Sequence, residues 1–378
     1  MQEQTGYVPM KIADPELLFE AAGRRPLVGM TRDEMIELAR ELGEPAFRAK
    51  QLFQWVYQKG VKSYDQMTNL PASFRQKLAE QTLLQLMEDE VEQHAQPTAT
   101  TKYLFRLHDG QKVESVLMRH GYGNAVCVTT QVGCRMGCTF CASTFGGLVR
   151  NLTAGEIVDQ IVMMQGDLPE GERIGSVVLM GSGEPLENYD HVLKAVRLMH
   201  DPDGLNIGYR HITVSTSGIV PAMRKLADEG LPITLALSLH APNDELRQQL
   251  MPVARIWPVE EVLDAARAYG EKTGRRVTYE YILIDGVNDN PEEAVQLGRL
   301  LKGSLAHVNL IPMNPVAERP QYQRPGLDRI HRFKEILESS GITTTVRREM
   351  GGDIDAACGQ LRNRVQRQRG GRRGEATQ

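Results

Sequence analysis

The spacing of apolar residues changes near residue 100 of this chain, from a helical period to the pattern of strands. Before that point, three stretches place apolar residues three and four positions apart: MIELARELG, AFRAKQLFQWVYQKG and PASFRQKLAEQTLL. Thr31 and Glu34 form a capping box ahead of the first stretch, glycines end the first two, and Pro71 begins the third. The pattern predicts a small all-helical unit over residues 1–95.

Strand patterns dominate the rest of the chain. Two alternating stretches flank a His108-Asp109-Gly110 turn and predict a β-hairpin linker over residues 96–124. From residue 125, strands alternate with amphipathic helices, which predicts a parallel sheet with helices outside it and ligands at the carboxyl ends of the strands. The predicted strands cover residues 125–132, 174–180, 211–215, 233–239, 276–283, 306–311 and 343–347, and the predicted helices cover residues 154–166, 189–200, 220–229, 259–273, 291–302 and 327–340.

Length and composition are those of a globular protein with two or three domains. The 378 residues are 41% hydrophobic, and the net charge of −4 gives no hint of nucleic acid. The chain begins without an apolar core, so we expect no signal peptide, and no apolar run approaches the length of a membrane span. Five cysteines are few and odd in number for a disulfide scaffold, which predicts a cytoplasmic protein. Residues 362–378 are rich in arginine and predict a basic, disordered tail.

The stretch QVGCRMGCTFCASTFGGLVRN carries three of the cysteines. Cys134, Cys138 and Cys141 are spaced as CxxxCxxC, so one short loop can bring three soft, anionic thiolates together. Three ligands are one fewer than a closed four-iron cluster uses, and the remaining iron is a site where a substrate can bind. The alternative is a zinc knuckle, but closed zinc sites have two pairs of ligands, and the sequence shows no clear second pair. The spacing favours an open 4Fe–4S cluster.

The same residues resemble a known signature. CxxxCxxC with an aromatic residue, Phe140, before the last cysteine is similar to the radical S-adenosylmethionine (SAM) motif. The longer run TQVGCRMGCTFCASTFGGLVRNLTAGEIVDQI resembles the RlmN family of RNA adenine-carbon-2 methyltransferases, and the resemblance extends over about residues 29–361. It implies an α/β fold in which residues 125–361 form a partial, six-stranded (βα)6 barrel that ends in a catalytic loop. It also implies that the open iron of the cluster binds SAM.

The resemblance assigns SAM contacts to segments that follow predicted strands. These positions are Gly183, Glu184, Ser215, Ser238, Leu239, His240 and Asn314. From the residues alone, the glycines of GSGEP permit a tight turn and a close approach of backbone to ligand, the hydroxyl groups also suit helix capping, and a lone histidine is more often structural. Ser182 departs from the family, in which many members have methionine, and we expect this change to leave binding by the backbone unaltered.

The two remaining cysteines and one glutamate complete the predicted site. The resemblance implies that Cys358, in GGDIDAACGQL, becomes S-methylated, that Cys127 is its resolving partner, and that Glu114 is a proton acceptor. Without the resemblance, a lone cysteine is by default a buried, inert residue, and Glu114 is an exposed strand residue. Whether Glu114 or Cys127 removes the carbon-2 proton stays open.

The implied reaction uses two SAM molecules per turnover, one to methylate Cys358 and one to generate a carbon radical. The implied substrates are an adenosine in the peptidyl transferase centre of 23S rRNA and the adenosine 3′ of certain tRNA anticodons, both in loops from which a base can be splayed. An electron donor such as flavodoxin is usual in the superfamily. The alternatives are a resistance-type methyltransferase of adenine carbon 8, a radical SAM activase, and a non-enzymatic, metal-stabilised RNA-binding protein.

Cations and aromatic residues are interspersed in the predicted helical unit. They are Arg48, Lys50, Lys59, Lys62, Arg75 and Lys77, with Trp55 and Tyr57. Such a mixture can contact phosphates and stack on bases, but a solvated helix face over a small core has the same composition. The resemblance implies that this unit helps to bind RNA.

Overall fold

Strands from both halves of the chain join one mixed sheet. The computed structural model describes residues 15–16, 19, 23–95, 99–314, 316, 318–347 and 361–362. The strands are Arg25–Pro26 (β1), Thr82–Leu83 (β2), Met87–Ala95 (β3), Thr100–Leu107 (β4), Lys112–His120 (β5), Gly123–Cys127 (β6), Gln131–Gly133 (β7), Leu148–Asn151 (β8), Ile174–Leu179 (β9), Ile212–Thr216 (β10), Thr234–Ser238 (β11), Val277–Leu283 (β12), Ala306–Pro312 (β13) and Thr343–Val346 (β14). In this part of the chain, ten of them form a sheet in the order β14-β13-β12-β11-β10-β9-β6-β5-β4-β3.

Several of the helices begin at capping residues of the sequence. They are Arg32–Glu41 (α1), Phe47–Phe53 (α2), Ala72–Gln81 (α3), Ala154–Gln165 (α4), Tyr189–His200 (α5), Val220–Asp228 (α6), Asp244–Leu250 (α7), Val259–Thr273 (α8), Pro291–Leu301 (α9) and Leu327–Ser339 (α10). A π-helical segment, Gln54–Gln58, continues α2. Thr31 and Thr153 each form the reciprocal hydrogen bonds of a capping box, with Glu34 and Glu156 respectively.

The predicted α/β class is confirmed. Strands β6 and β9 to β14 pair in parallel, and a helix follows each of them except β14, which makes six βα units within the described residues. Alternate residues of β10, such as Ile212 and Val214, belong to the same apolar core as Met223 of α6 and Val262 of α8. Ser215 lies on the opposite face of β10, because side chains alternate along a strand. The helices therefore cover one face of the parallel sheet and leave the other for the site.

The sequence prediction was wrong at three boundaries before the barrel. Met87–Ala95 is a strand and does not belong to the predicted helical unit, because it pairs along its length with β4. The predicted hairpin is present, since β4 and β5 pair antiparallel, but it is not a separate linker, because β5 also pairs with β6 in the sheet of the barrel. The predicted strand 125–132 is interrupted, and its end belongs to β7, which pairs with β8 in a separate small hairpin. These pairings join strands that are neighbours in sequence, and in β3 pairing with β4 overrides a composition, MEDEVEQHA, whose acidic residues are disfavoured in strands.

Three further predictions concern membrane spans, Cys358 and the basic tail. No helix in the described ranges is long and apolar enough to cross a membrane. Cys358 lies outside the described residues, and so does the predicted basic tail beyond Arg362. Arg362 itself is described and largely buried.

Candidate active site

A short hairpin supports the three cysteines. β7 and β8 pair antiparallel, and the loop between them contains Cys134, Cys138 and Cys141. The main-chain N–H of Cys134 donates to the carbonyl oxygen of Gly147 over 3.0 Å, which closes the loop at its base. Gly133 has φ +83°, and a Cβ atom on it would lie 2.0 Å from that same oxygen. The loop can therefore close only because residue 133 has no side chain.

The three thiols influence one another's ionisation. Burial, and then the charge of Cys141, raises the pKa of Cys134 to about 12. Burial also raises the pKa of Cys138 well above its ordinary value, with further contributions from Cys141 and Cys134. No three His, Cys, Asp or Glu side chains in the described ranges are placed to bind a single metal ion, whereas a four-iron cluster takes its ligands at separate corners. Three neighbouring thiols, which lose their protons when a metal centre binds, fit such a cluster.

Gln131, in β7, connects the cysteine hairpin to the glycine-rich turn after β9. Its side-chain amide donates to Asn151 Oδ1 (2.8 Å) and to Glu187 Oε2 (3.1 Å), and its side-chain oxygen accepts from the main-chain N–H of Glu184 (2.8 Å). Gly183 has φ +111°, and a Cβ atom on it would lie 2.7 Å from the Gln131 side chain. This glycine thus lies close to the cysteine hairpin, and its predicted approach to a ligand stays a prediction.

Glu184 links the turns that follow β9 and β10. Its buried carboxylate accepts from the main-chain N–H groups of Leu186 (3.0 Å) and Ser217 (2.7 Å). Burial raises the pKa of Glu184, and the hydrogen bond from Ser217 partly opposes this effect. Glu184 therefore fixes the position of the STSG segment, which includes Ser215.

His240 lies directly beyond β11 and has φ +61°. Its Nδ1 accepts from the main-chain N–H of Ile282 over 3.0 Å, which assigns the ring proton to Nε2. Burial, and then the charge of Arg247, lowers the pKa of His240 to about 3, so the ring is neutral. Its ring is perpendicular to that of Phe140 in the cysteine loop, with the centroids 5.0 Å apart. His240 is thus a neutral donor beside the cysteines.

Arg247, in α7, was not singled out from the sequence. Its side chain is completely buried and donates to the main-chain carbonyls of Leu239 (3.1 Å), Trp257 (3.3 Å), Ser217 (2.6 Å) and Ser238 (3.4 Å). Burial lowers its pKa to about 10, which leaves the guanidinium charged at neutral pH. One side chain therefore connects the ends of β10 and β11. The sequence contains no local signal for this role, because DELRQQL reads as an ordinary solvated helix.

A second cluster joins the antiparallel strands to the barrel. Glu114 of β5 is 5% exposed, and its Oε2 lies 3.0 Å from Nζ of Lys102, whose side chain is 1% exposed. Its Oε1 accepts from the main-chain N–H of Arg362 over 2.6 Å. Glu114, Lys102, Cys127 and Ser182 line one small cavity. Glu114 is therefore not the exposed strand residue of the alternative interpretation.

A third buried cluster lies at the base of the cysteine hairpin. Arg150 of β8 donates through both terminal nitrogens to Glu156 of α4 (2.8 Å each), and through Nε to Asp109 in the β4–β5 turn (2.7 Å). Asn188 donates from its side chain to the carbonyl oxygens of Thr130 (2.9 Å) and Leu152 (2.8 Å) on either side of the hairpin. The hairpin that carries the cysteines is thus fixed to the sheet and to α4.

The remaining predicted positions lie at strand ends. Ser238 is the last residue of β11, Leu239 follows it and is fully buried, and Asn314 follows β13. With Gly183 and Glu184 after β9, they lie at the carboxyl ends of parallel strands, where the sequence placed them. Their contacts with SAM stay predictions.

The helical unit presents only part of the predicted cation and aromatic set. Tyr57 is fully buried and donates to the Met30 carbonyl oxygen over 2.8 Å, so it is not available to stack on a base. Phe47 is 58% exposed, with the guanidinium of Arg48 4.8 Å from its ring centroid. Lys59 Nζ lies 5.0 Å from the centre of the half-buried Trp55 ring.

Known proteins resemble this chain over nearly its whole length. Family models match at residues 128–298, for the radical SAM superfamily, and at residues 26–84, for the ribosomal RNA large subunit methyltransferase N-terminal domain. A probable dual-specificity RNA methyltransferase RlmN of Symbiobacterium thermophilum is 79% identical over 98% of this chain and 100% of its own length. A protein of the same name from Alkaliphilus oremlandii is 55% identical over 89% of this chain and 97% of its own length. The crystal structure of a radical SAM methyltransferase from Sphaerobacter thermophilus superimposes with a TM-score of 0.86 at 47% identity, covering 89% of this chain and 98% of that one.

Proposed function

The chain belongs to the RlmN family of radical SAM RNA methyltransferases, and we propose that it methylates carbon 2 of adenosine in 23S rRNA and in tRNA. The observation that carries the proposal is the buried carboxylate of Glu114, which shares a cavity with Cys127 and accepts from the main chain of Arg362. Arg362 follows Cys358 by four positions, so the chain keeps the two residues within about 14 Å of each other. This connection supports a common site for Cys358, Cys127 and Glu114.

The cysteine loop and the strand ends bind the cofactors in this proposal. Cys134, Cys138 and Cys141 bind a 4Fe–4S cluster, and SAM contacts Gly183, Glu184, Ser215, Ser238, Leu239, His240 and Asn314. When bound, the cluster and SAM supply a carbon-centred radical, which adenine carbon 2 requires because it is electron-poor and not a nucleophile. His240 offers its Nε2–H to the cofactor as a neutral donor, since its Nδ1 is engaged by the main chain.

Cys358 would carry the methyl group, which its thiolate would take from the first of two SAM molecules per turnover with release of S-adenosylhomocysteine. After a carbon radical made from this methyl group adds to adenine carbon 2, the adduct must lose one electron, which the bound cluster would accept, and the carbon-2 proton. Glu114 is the favoured acceptor of that proton, because its carboxylate is fixed by Lys102 and Arg362. Cys127 then attacks the sulfur of Cys358, which releases the methylated base and leaves a disulfide that cellular thiols reduce.

RNA approaches along the helical unit in this proposal. The pairs Phe47–Arg48 and Trp55–Lys59 combine a cation with an aromatic ring, which suits phosphate contact and base stacking. We place the reaction in the cytoplasm, with an electron donor of the flavodoxin type.

The test is anaerobic reconstitution of the full chain, followed by assays on 23S rRNA fragments and on tRNA, with the methyladenosine isomer identified by mass mapping. Cys358→Ala should abolish methylation while SAM cleavage continues. Cys127→Ala should leave RNA attached to the protein. Methylation at carbon 8, or free RNA as the only product of Cys127→Ala, would contradict the proposed reaction.

A further inference from the structure

Arg247 is a buried cation whose hydrogen bonds go to neutral groups. Its side chain is 0% exposed, and its four acceptors are main-chain carbonyls. Within the described part of the chain it forms no ion pair, in contrast to Arg150, which contacts two carboxylates. Burying a charge without a partner of opposite sign is costly, and proteins rarely retain such a group unless an anion compensates it.

The segment that contains Arg247 lies directly against the cysteine loop. The main-chain N–H of Thr139 donates to the carbonyl oxygen of Leu250, at the end of α7, over 2.9 Å. A Cβ atom on Gly137 would lie 3.3 Å from the ring of Pro252. Thus residues on both sides of Cys138 contact the chain that follows Arg247. Burial lowers the pKa of Arg247, and negative charge on Cys138, and then on Asp244, would raise it against that effect.

Asp244, at the start of α7, also acts on the guanidinium electrostatically but forms no ion pair with it, so the loop is the natural source of the remaining negative charge. Three thiolates around a four-iron core give the cluster a net negative charge, and reduction by one electron makes it more negative. A fixed positive charge in a medium of low dielectric constant stabilises the reduced form more than the oxidised form. The same reasoning explains why the guanidinium is bonded to carbonyls, which orient it without neutralising it.

We propose that Arg247 is the built-in counter-charge of the cluster and that it raises the reduction potential of the cluster while positioning the ends of β10 and β11. Arg247 is a positioning and electrostatic residue rather than a catalytic one. The inference depends on the proposed ligation by Cys134, Cys138 and Cys141, and it does not depend on which RNA is methylated.

The experiment measures the midpoint potential of the reconstituted full chain, without SAM or RNA. Dithionite supplies the electron, and electron paramagnetic resonance follows the reduced cluster. Arg247→Gln removes the charge, and Arg247→Lys keeps it with fewer hydrogen bonds. Asn288→Leu is the matched control, because buried Asn288 donates to the carbonyl oxygens of His240 (2.8 Å) and Ile282 (2.6 Å) near the same strand ends but carries no charge.

We expect Arg247→Gln to make the midpoint potential more negative by at least about 59 mV, which is a tenfold change in the equilibrium of a one-electron reduction. Arg247→Lys and Asn288→Leu should retain the potential of the unaltered chain even where their melting temperatures fall. An unchanged potential in Arg247→Gln, or an equal shift in Asn288→Leu, would overturn the inference. If Arg247→Gln does not fold, Arg247→Lys decides, because a tenfold shift in a variant that keeps the charge contradicts the inference.

Failure of this inference and failure of the proposed function give different results. If the unaltered chain methylates RNA but its potential does not depend on Arg247, only the inference fails. If the potential shifts as expected but no RNA is methylated, the inference stands and the proposed function fails.

Discussion

Two buried guanidinium groups flank the cysteine loop, and they are compensated in different ways. Arg150 lies at the base of the loop and contacts Glu156 and Asp109, so its charge is balanced within the protein. Arg247 lies in α7, whose end contacts the loop at Thr139, and its hydrogen bonds among the described residues go only to carbonyl oxygens. The compensated guanidinium of Arg150 fixes the base of the loop. The uncompensated guanidinium of Arg247 implies that a bound anion neutralises it. The difference indicates which side of the loop faces the cofactor.

The largest effect should follow from removing one of the three thiolates proposed to bind the cluster near Arg247. Cys138→Ala should abolish retention of the cluster, because two thiolates and water cannot replace three thiolates at its corners. Iron and sulfide analysis and the visible absorption of anaerobically reconstituted protein measure this loss. Cys127→Ala is the control, since Cys127 lies outside the loop and should leave the iron content unchanged. A full cluster in Cys138→Ala would contradict the assignment.

The second prediction concerns the carboxylates that compensate Arg150. Glu156→Gln keeps the cap of α4 but leaves the buried Arg150 with half of its compensation, and it should lower the free energy of unfolding by about 3–5 kcal/mol. Denaturant titration of the cluster-free chain measures the change. Asp109→Asn should cost less, because Asp109 is the more exposed partner. Equal stability of Glu156→Gln and the unaltered chain would show that the ion cluster does not fix this region.

A smaller effect is expected at the third buried charge pair. Lys102→Met leaves Glu114 without its cation and misorients the carboxylate, so methylation should slow by about tenfold, or about 1.4 kcal/mol in the barrier. Single-turnover methylation measures the rate, and iron content should stay constant. Arg106→Met, in the same strand, removes a surface ion pair and should have little effect. A normal rate in Lys102→Met would separate Lys102 from the chemistry.

The smallest effect concerns Asp159, a buried anion without a described cation. Burial raises its pKa to about 7, and its carboxylate accepts from the main-chain N–H of Leu86. A folded-state pKa above the unfolded value gives stability that is complete below about pH 4 and is lost as pH rises through about 7. The melting temperature of Asp159→Asn, relative to that of the unaltered chain, should therefore rise by about a few degrees between about pH 5 and pH 8. A difference that does not depend on pH would refute this assignment.

The parts of the molecule that could be predicted from sequence are those that depend on local chemistry. The capping box at Thr31 located one helix, and the alternation of strands and helices identified the parallel sheet. Tyr57 shows the limit, because helical spacing does not report which face of a short helix is covered. Arg247 shows it more clearly, since its burial depends on carbonyl groups from three other segments.

The candidate site residues also differ in how far the sequence alone could locate them. The cysteine spacing is a local property, so Cys134, Cys138 and Cys141 could be found together from sequence. The connection of Glu114 to Lys102 and Arg362 could not, because it joins two antiparallel strands to the far end of the chain. The charge of a residue is visible in a sequence, but whether that charge is compensated depends on the fold.

The strand β3 has a consequence for dividing the protein into fragments. It covers β4, whose residues are almost all buried, and exposes Glu88, Asp89 and Glu92 to solvent. A fragment starting after residue 95 would leave the ladder of β4 open to pairing with other molecules, whereas a start after Gln81 would retain the acidic strand that discourages it. When the barrel is expressed without the N-terminal helical unit, the first fragment should therefore aggregate and the second should stay dispersed.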